Sequence, residues 1–286
     1  MNTWNVGNVK ITRIVEIEMA GGTRFVLPDA TPEAVLPIKW LAPHFMTEEG
    51  KLIMSIHALV VDTGDKRIII DTCVGNDKER VIPSWNKMQT RFLEDLEEAG
   101  YPRESIDMVF CTHMHVDHVG WNTMLVDGEW VPTFPNAKYL FADKEWEHWQ
   151  AASQEEFGAV IEDSVQPIVD AGLAEFVPCD AQLCPELKLL PTPGHTPGHV
   201  SVDISSNGQK ALITGDMLHH PCQMARLDWA SAPDHDKALA KLTRRTVFES
   251  VADTDVLVIG THFATPSAGH VKKEADGSYR LEVFHS

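Results

Sequence analysis

The sequence predicts an α/β sandwich with mixed sheets, and three observations predict it. Short β-rich runs alternate with helical periods along all 286 residues. Some neighbouring runs are close enough to form tight hairpins, whereas others are separated by stretches long enough for a crossover helix. Four of the apolar runs stop at a histidine or an aspartate, as strands do at the edge of a sheet that carries a site.

The elements follow in order. Val9, Ile11, Val15 and Ile17 share one side of a first strand, with Arg13 as the polar exception. Residues 20–50 have no clear period and read as an ordered excursion, with Trp40 and Phe45 as cover for a pocket. In SIHALVVDTGDKRIIIDT, two β-rich runs flank Thr63-Gly64-Asp65, a hairpin signal. A helix over 87–99 is expected from Met88, Phe92, Leu96 and Ala99, with Leu93 beside them and Gly100 as its stop. SIDMVFCT and KYLFA (138–142) are strands, and 143–171 is helical in two pieces. LKLLP (187–191) is a strand, and VSVDIS and KALITG form a hairpin around Asn207-Gly208. A helix over 234–251 turns Ala238, Leu239, Leu242, Val247 and Val251 inward, and DVLVIG (255–260) is the last buried strand. No linker, low-complexity run or short repeat interrupts the chain, so residues 1–286 are expected to form one domain.

Composition narrows the function. Hydrophobic content of 43% and charged content of 23% are ordinary for a soluble globular enzyme. A formal charge of −18 disfavours non-specific contact with nucleic acid or anionic lipid. No apolar run approaches membrane-spanning length, and the first residues do not read as a signal peptide. Five scattered cysteines, never spaced C-x-x-C, fit free thiols in a reducing compartment, so a cytoplasmic location is expected. A homodimer is the base-rate expectation for assembly.

The chemistry lies in CTHMHVDHVGWN (111–122), which crowds His113, His115, Asp117 and His118 into six positions. Without a metal, crowded histidines repel when protonated and leave buried polar atoms unpaired. His195 follows LKLLP, Asp216 follows ALITG, and His262 follows VLVIG. Imidazole and carboxylate together suit zinc, iron or manganese. In a strand-like T-H-M-H, His113 and His115 point the same way and can hold one ion with His195. Asp117 and His118 can hold a second with His262, and Asp216 can bridge the two. Each ion then keeps an open position for water, which marks a catalytic rather than a structural site. Isolated histidines such as His57 and His148 read as ordinary residues.

THMHVDHVG, PTPGHTPGHVS, TGD and GTH occur in the order found in the metallo-β-lactamase-fold hydrolase superfamily, which the chain resembles over nearly its whole length. The resemblance implies a four-layer αββα sandwich with two mixed sheets and a dinuclear site. It also implies that His195, not His199, is the ligand of GHTPGH, and that Asp71 orients a ligand histidine. The pattern looks most like the lactonase and organophosphate-hydrolase branch, where the bridging aspartate stands in TGD. Acyl-homoserine-lactone lactonases often carry a substrate-contacting tyrosine three residues after that aspartate; here the position is His219, followed by His220. His219 is thus expected to donate a hydrogen bond to a developing oxyanion, and Asp117 to return a proton late in the reaction.

The implied reaction is attack by a metal-activated hydroxide on a lactone or related ester, with two divalent ions, zinc first, as cofactor. Phosphotriester hydrolysis at the same site is the alternative, and a non-catalytic metal-binding or sensing protein is the rival of another class. A glyoxalase-II-like helical domain, a nuclease insertion and a flavin domain have no counterpart in the sequence. Trp121 and Asn122 are candidates for the pocket floor, Trp85 and Met88 for an apolar wall, and His270 for the lining.

Overall fold

A computed structural model describes residues 2–152 and 158–283. The chain divides into two compact units. One comprises Thr3–Glu16 and Ile56–Ala181; the other is built mainly from Ile17–Ser55 and the residues from Gln182 onward.

The first unit carries a seven-stranded mixed sheet. In chain order its strands are β1 (Thr3–Val6), β2 (Val9–Ala20), β3 (Ile53–Asp62), β4 (Arg67–Ile70) and β5 (Met108–Cys111). A separate hairpin, β6 (Thr123–Val126) and β7 (Glu129–Pro132), precedes β8 (Lys138–Ala142) and β9 (Ala174–Val177). The sheet order is β1-β2-β3-β4-β5-β8-β9. From β4 to β9 the pairing is parallel. Ile68–Ile70, Val109–Cys111 and Tyr139–Ala142 are buried, giving the near-continuous apolar runs that a parallel strand covered on both faces requires. Register pairs Ile70 with Phe110 and Cys111 with Phe141, so β4, β5 and β8 end on one edge.

The second unit carries β10 (Gln182–Cys184), β11 (Leu187–Pro191), β12 (Val200–Ser206), β13 (Gln209–Ile213), β14 (Leu257–Ile259), β15 (Ala268–Lys273) and β16 (Tyr279–Glu282), adjacent in that order. Asn207 and Gly208 both take positive φ, 49° and 78°, the conformation of a two-residue primed turn. β13 and β14 run parallel and the other pairs antiparallel. β11, β13 and β14 therefore point the same way, and their carboxyl ends share one edge. The two large mixed sheets are the α/β architecture expected.

Helices differ from expectation in three places. The first is α2 (Phe92–Glu98), which replaces the longer helix expected over 87–99, after α1 (Pro32–Val35) in the second unit. Residues 87–91 are a loop, because their backbone finds partners across it: Lys87 N–H donates to Lys78 and Asp77 N–H to Met88. Gly100, at φ 92°, ends α2 as expected. Region 143–171 contains α3 (Asp143–Ala151), α4 (Val160–Ser164) and α5 (Gln166–Asp170), the last with Pro167 in its first turn; residues 153–157 of that region lie outside the described residues. After α6 (Cys222–Ala225), α7 runs from Lys237 to Val251 rather than from 234, capped by Asp236, which accepts from Ala238 and Leu239 N–H. Its buried face is Ala240, Arg244, Val247, Phe248 and Val251; Ala238, Leu239 and Leu242 face outward. The apolar pattern missed this rotation because Arg244, a nominally polar position, lies at the centre of the buried stripe.

The excursion over 20–50 is core rather than cover. Val35, Leu41, Phe45 and Met46 join Phe248 and Phe263 in the second unit's apolar cluster, and Trp40 packs against it half-buried. No helix among the described residues is long and apolar enough to cross a membrane.

Candidate metal centre

In the first unit the chain leaves β5 at Cys111 and turns at once. The segment 112–119 is not a strand, so His113 and His115 do not meet through strand alternation as expected. The turn brings them together instead: His113 Nε2 lies 3.0 Å from His115 Nδ1, and the His113 and His118 rings are 4.0 Å apart. The turn is stitched to the residues that follow β4. Thr72 N–H donates to the His118 carbonyl at 2.7 Å, and Trp121 N–H to Thr72 at 2.8 Å. Gly120 allows this contact, since a Cβ there would stand 1.8 Å from the Val74 carbonyl oxygen.

Asp71 organises the group. Its Oδ1 accepts from Thr112 N–H at 2.7 Å and its Oδ2 from the Thr112 hydroxyl, while Oδ2 also lies 3.0 Å from His118 Nδ1. His118 Nε2 faces Asp117 at 3.6 Å. This is the orienting arrangement expected of Asp71. His115 meets the edge of Trp149, and Glu145, buried in α3, accepts from Met114 N–H and Trp149 Nε1. Neither Glu145 nor Trp149 was marked from sequence; a buried acid four residues before a tryptophan, directly after a strand, is the only local signal.

The second unit gathers its donors at the shared strand edge. His195 follows β11, Asp216 follows β13, and His262 follows β14. Asp216 Oδ2 lies 3.5 Å from His195 Nε2, 3.2 Å from His219 Nε2 and 3.2 Å from His262 Nε2. The ligand atoms of His195, Asp216 and His219 lie within 4.8 Å of one another, and all three residues are buried. Two of these imidazoles have the far nitrogen engaged: His195 Nδ1 donates to Asp234 Oδ1 at 3.0 Å, and His262 Nδ1 to the Ser55 carbonyl at 2.9 Å. That fixes the tautomer in which Nε2 offers its lone pair. A buried carboxylate surrounded by three imidazoles, two of them so oriented, fits a divalent cation.

His199 is occupied otherwise. It accepts Asp216 N–H at 2.8 Å and donates from Nδ1 to the Thr192 carbonyl, so it supports the aspartate's backbone. His220 donates to the Phe45 carbonyl and accepts from Cys222 N–H; burial holds its pKa down at about 4. His270 meets the Val256 carbonyl on β15. Trp121 stacks on Phe92 and donates to Glu16 at 2.6 Å, and Asn122 accepts from the Thr72 hydroxyl. Burial raises the Glu16 pKa against the opposing effect of its four donors from Val74, Gly75, Trp121 and Thr90. Trp121 and Asn122 are therefore framework of the first unit.

A model of the metallo-beta-lactamase superfamily matches residues 54–273. An N-acyl homoserine lactonase from Bacillus sp is 27% identical over 62% of this chain and 62% of its own length. The lactonase AiiA of Bacillus thuringiensis subsp. kurstaki is 25% identical over 57% and 64%. The chain thus spans about three fifths of the length of the curated relatives it matches. Among solved structures, AbOPH, a hydrolase in the beta lactamase superfamily, aligns over 100% of this chain and 97% of its own with a TM-score of 0.81 at 25% identity. AidC, a dizinc quorum-quenching lactonase solved with a product, aligns over 100% and 98% with a TM-score of 0.79 at 21% identity, a likeness of fold. With its two mixed sheets, the strand-end histidines and aspartates, and the family match running from β3 to β15, this chain belongs to the metallo-β-lactamase superfamily.

Proposed function

We propose that the chain is a metal-dependent hydrolase that opens a lactone or cleaves a related ester, holding two divalent ions, zinc first, through His113, His115, Asp117, His118, His195, Asp216 and His262. The observation that carries the reading is the group of three imidazole Nε2 atoms around the buried Asp216 carboxylate, each within 3.5 Å. Family membership and the lactonase relatives support the substrate class. Bound divalent ions would lower the pKa of a water and polarise a carbonyl oxygen.

The chain's own residues would do the rest. Asp234 and the Ser55 carbonyl hold His195 and His262 in one tautomer and the Asp71 carboxylate lies 3.0 Å from His118 Nδ1, so little reorganisation accompanies the reaction. Asp117, partly exposed, takes the proton of the attacking water and returns it to the leaving alkoxide. His219 steadies the carbonyl oxygen as it gains charge. Its Nδ1 is buried with no hydrogen-bond partner among the described residues, so one of its nitrogens is uncommitted.

The test is metal analysis together with a panel of lactones, aryl esters and an aryl phosphotriester. The expected outcome is about two ions per chain and ring opening that is lost on chelation and restored by zinc. Full activity in metal-free protein would overturn the reading. Turnover of the phosphotriester alone would move the substrate class, and full loading without turnover of any ester would favour a metal-binding or sensing protein. With zinc held saturating, His219→Phe should lower kcat.

A further inference from the structure

We propose that Arg244 and Asp234 are positioning residues that aim His195 and Asp216 at a divalent ion, making α7 the frame of the second unit's ligand set. The inference rests on the metal-hydrolase reading and goes beyond it by naming what holds the ligands.

Arg244 is fully buried on α7, where a cation is costly unless its surroundings answer it. Its Nη1 donates to the Met217 carbonyl at 3.1 Å, one residue past Asp216. Its Nη2 donates to the Trp229 carbonyl at 3.0 Å. Nη1 also lies 3.6 Å from Asp234 Oδ2. The other oxygen of Asp234 accepts His195 Nδ1–H at 3.0 Å. One guanidinium is therefore one contact from the residue after Asp216 and one carboxylate away from His195.

The backbone repeats the connection. His235 N–H donates to the His195 carbonyl, and Asp236 N–H to Gly194. Gly194 sits at φ 131°, and a Cβ there would stand 2.3 Å from Ala240 N, so the first turn of α7 is seated directly on the residue before His195. The Asp234 carboxylate and the Arg244 cation are of opposite charge, 3.6 Å apart. Hydrophobic residues in their place would commonly hold a fold as well or better. What they supply, and an apolar pair would not, is a proton on His195 Nδ1 and a fixed direction for its Nε2.

The test uses the full chain with Asp234→Asn, Arg244→Met and Arg244→Lys. Zinc affinity is read by competition with a chromogenic chelator, and ligand geometry by the visible spectrum of cobalt-loaded protein. Asp234→Asn and Arg244→Met should weaken zinc binding by about 10–100-fold and alter the cobalt spectrum while the far-ultraviolet circular dichroism stays native. Arg244→Lys should recover part of the affinity. Native affinity and an unchanged cobalt spectrum in Asp234→Asn would overturn the proposal while leaving the hydrolase reading intact. Failure of the unsubstituted chain to bind zinc would overturn both. Where a variant does not fold, nitrogen NMR of the unsubstituted zinc-loaded chain decides: His195 should carry its proton on Nδ1, and a proton on Nε2 would refute the assignment.

Discussion

His219 and His220 are neighbours in LHHPC, yet their imidazoles meet opposite surroundings. His219 shares the Asp216 carboxylate with two other rings. His220 is sealed against Phe45, with one nitrogen donating and the other accepting. Burial lowers the His220 pKa from its usual 6.5 to about 4. The unfolded chain therefore takes up this proton first as pH falls. The stability that the neutral ring contributes is whole above pH 6.5 and is lost progressively between 6.5 and about 4. The full loss is about 3 kcal/mol. His220→Gln should be less stable near neutral pH but lose less on acidification, and urea midpoints of metal-free protein at a series of pH values check this. Parallel curves for the two proteins would refute it. The contrast also marks what was legible at this scale. The candidate ligand histidines stood out because H-x-H-x-D-H crowds them in sequence and the others end apolar runs. Asp234 was not, because its partner His195 lies 39 positions away and the adjacent Asp236 is the more obvious helix cap.

Elements show the same division between local and distant causes. Hairpins at 63–66 and 207–208 follow from turn chemistry carried by a few adjacent residues, and both form where the sequence puts them. The inward face of α7 does not follow, because the Met217, Trp229 and Asp234 groups that receive Arg244 are supplied by other segments. Leu242 is consequently 59% exposed. Leu242→Lys should change stability by less than about 0.5 kcal/mol, as outward substitutions usually do, whereas the sequence pattern alone would predict a loss of about 2–5 kcal/mol from a buried leucine. Asp236→Ala removes two acceptor contacts at the helix start and should cost about 1 kcal/mol. Gly120→Ala is the severe case. Its Cβ would meet carbonyl oxygens of Val74 and Cys73, which are backbone and cannot swing aside. The turn carrying His118 would have to part from the residues after Asp71, so zinc affinity and melting temperature should fall together. Thermal unfolding with and without zinc measures both, and a native melting point with native zinc affinity would show that the two segments need not touch.

For the whole molecule, the candidate ligands occur in both compact units, positions 113–118 in one and 195–262 in the other. The chain is strongly acidic, at −18, and each ligand set contains at least one carboxylate. Divalent ions bound there would relieve like-charge repulsion as well as fill donor sets. A ligand bound only by the folded state stabilises it by about 2.7 kcal/mol when present at about one hundred times its dissociation constant. Chelation should accelerate amide hydrogen exchange at Thr72, His118 and Gly120 in the first unit and at Asp216, His219 and Gln223 in the second, each of which donates a backbone N–H to a named acceptor that it could lose. Zinc should restore protection to both groups in one titration. The strand interiors, Ile68–Ile70 and Ala211–Ile213, should change much less, because their ladders do not depend on the ligand loops. Acceleration in one unit alone would refute metal binding by the other unit's donors, whereas protection unaffected by chelation in either would remove the metal from the folded state altogether.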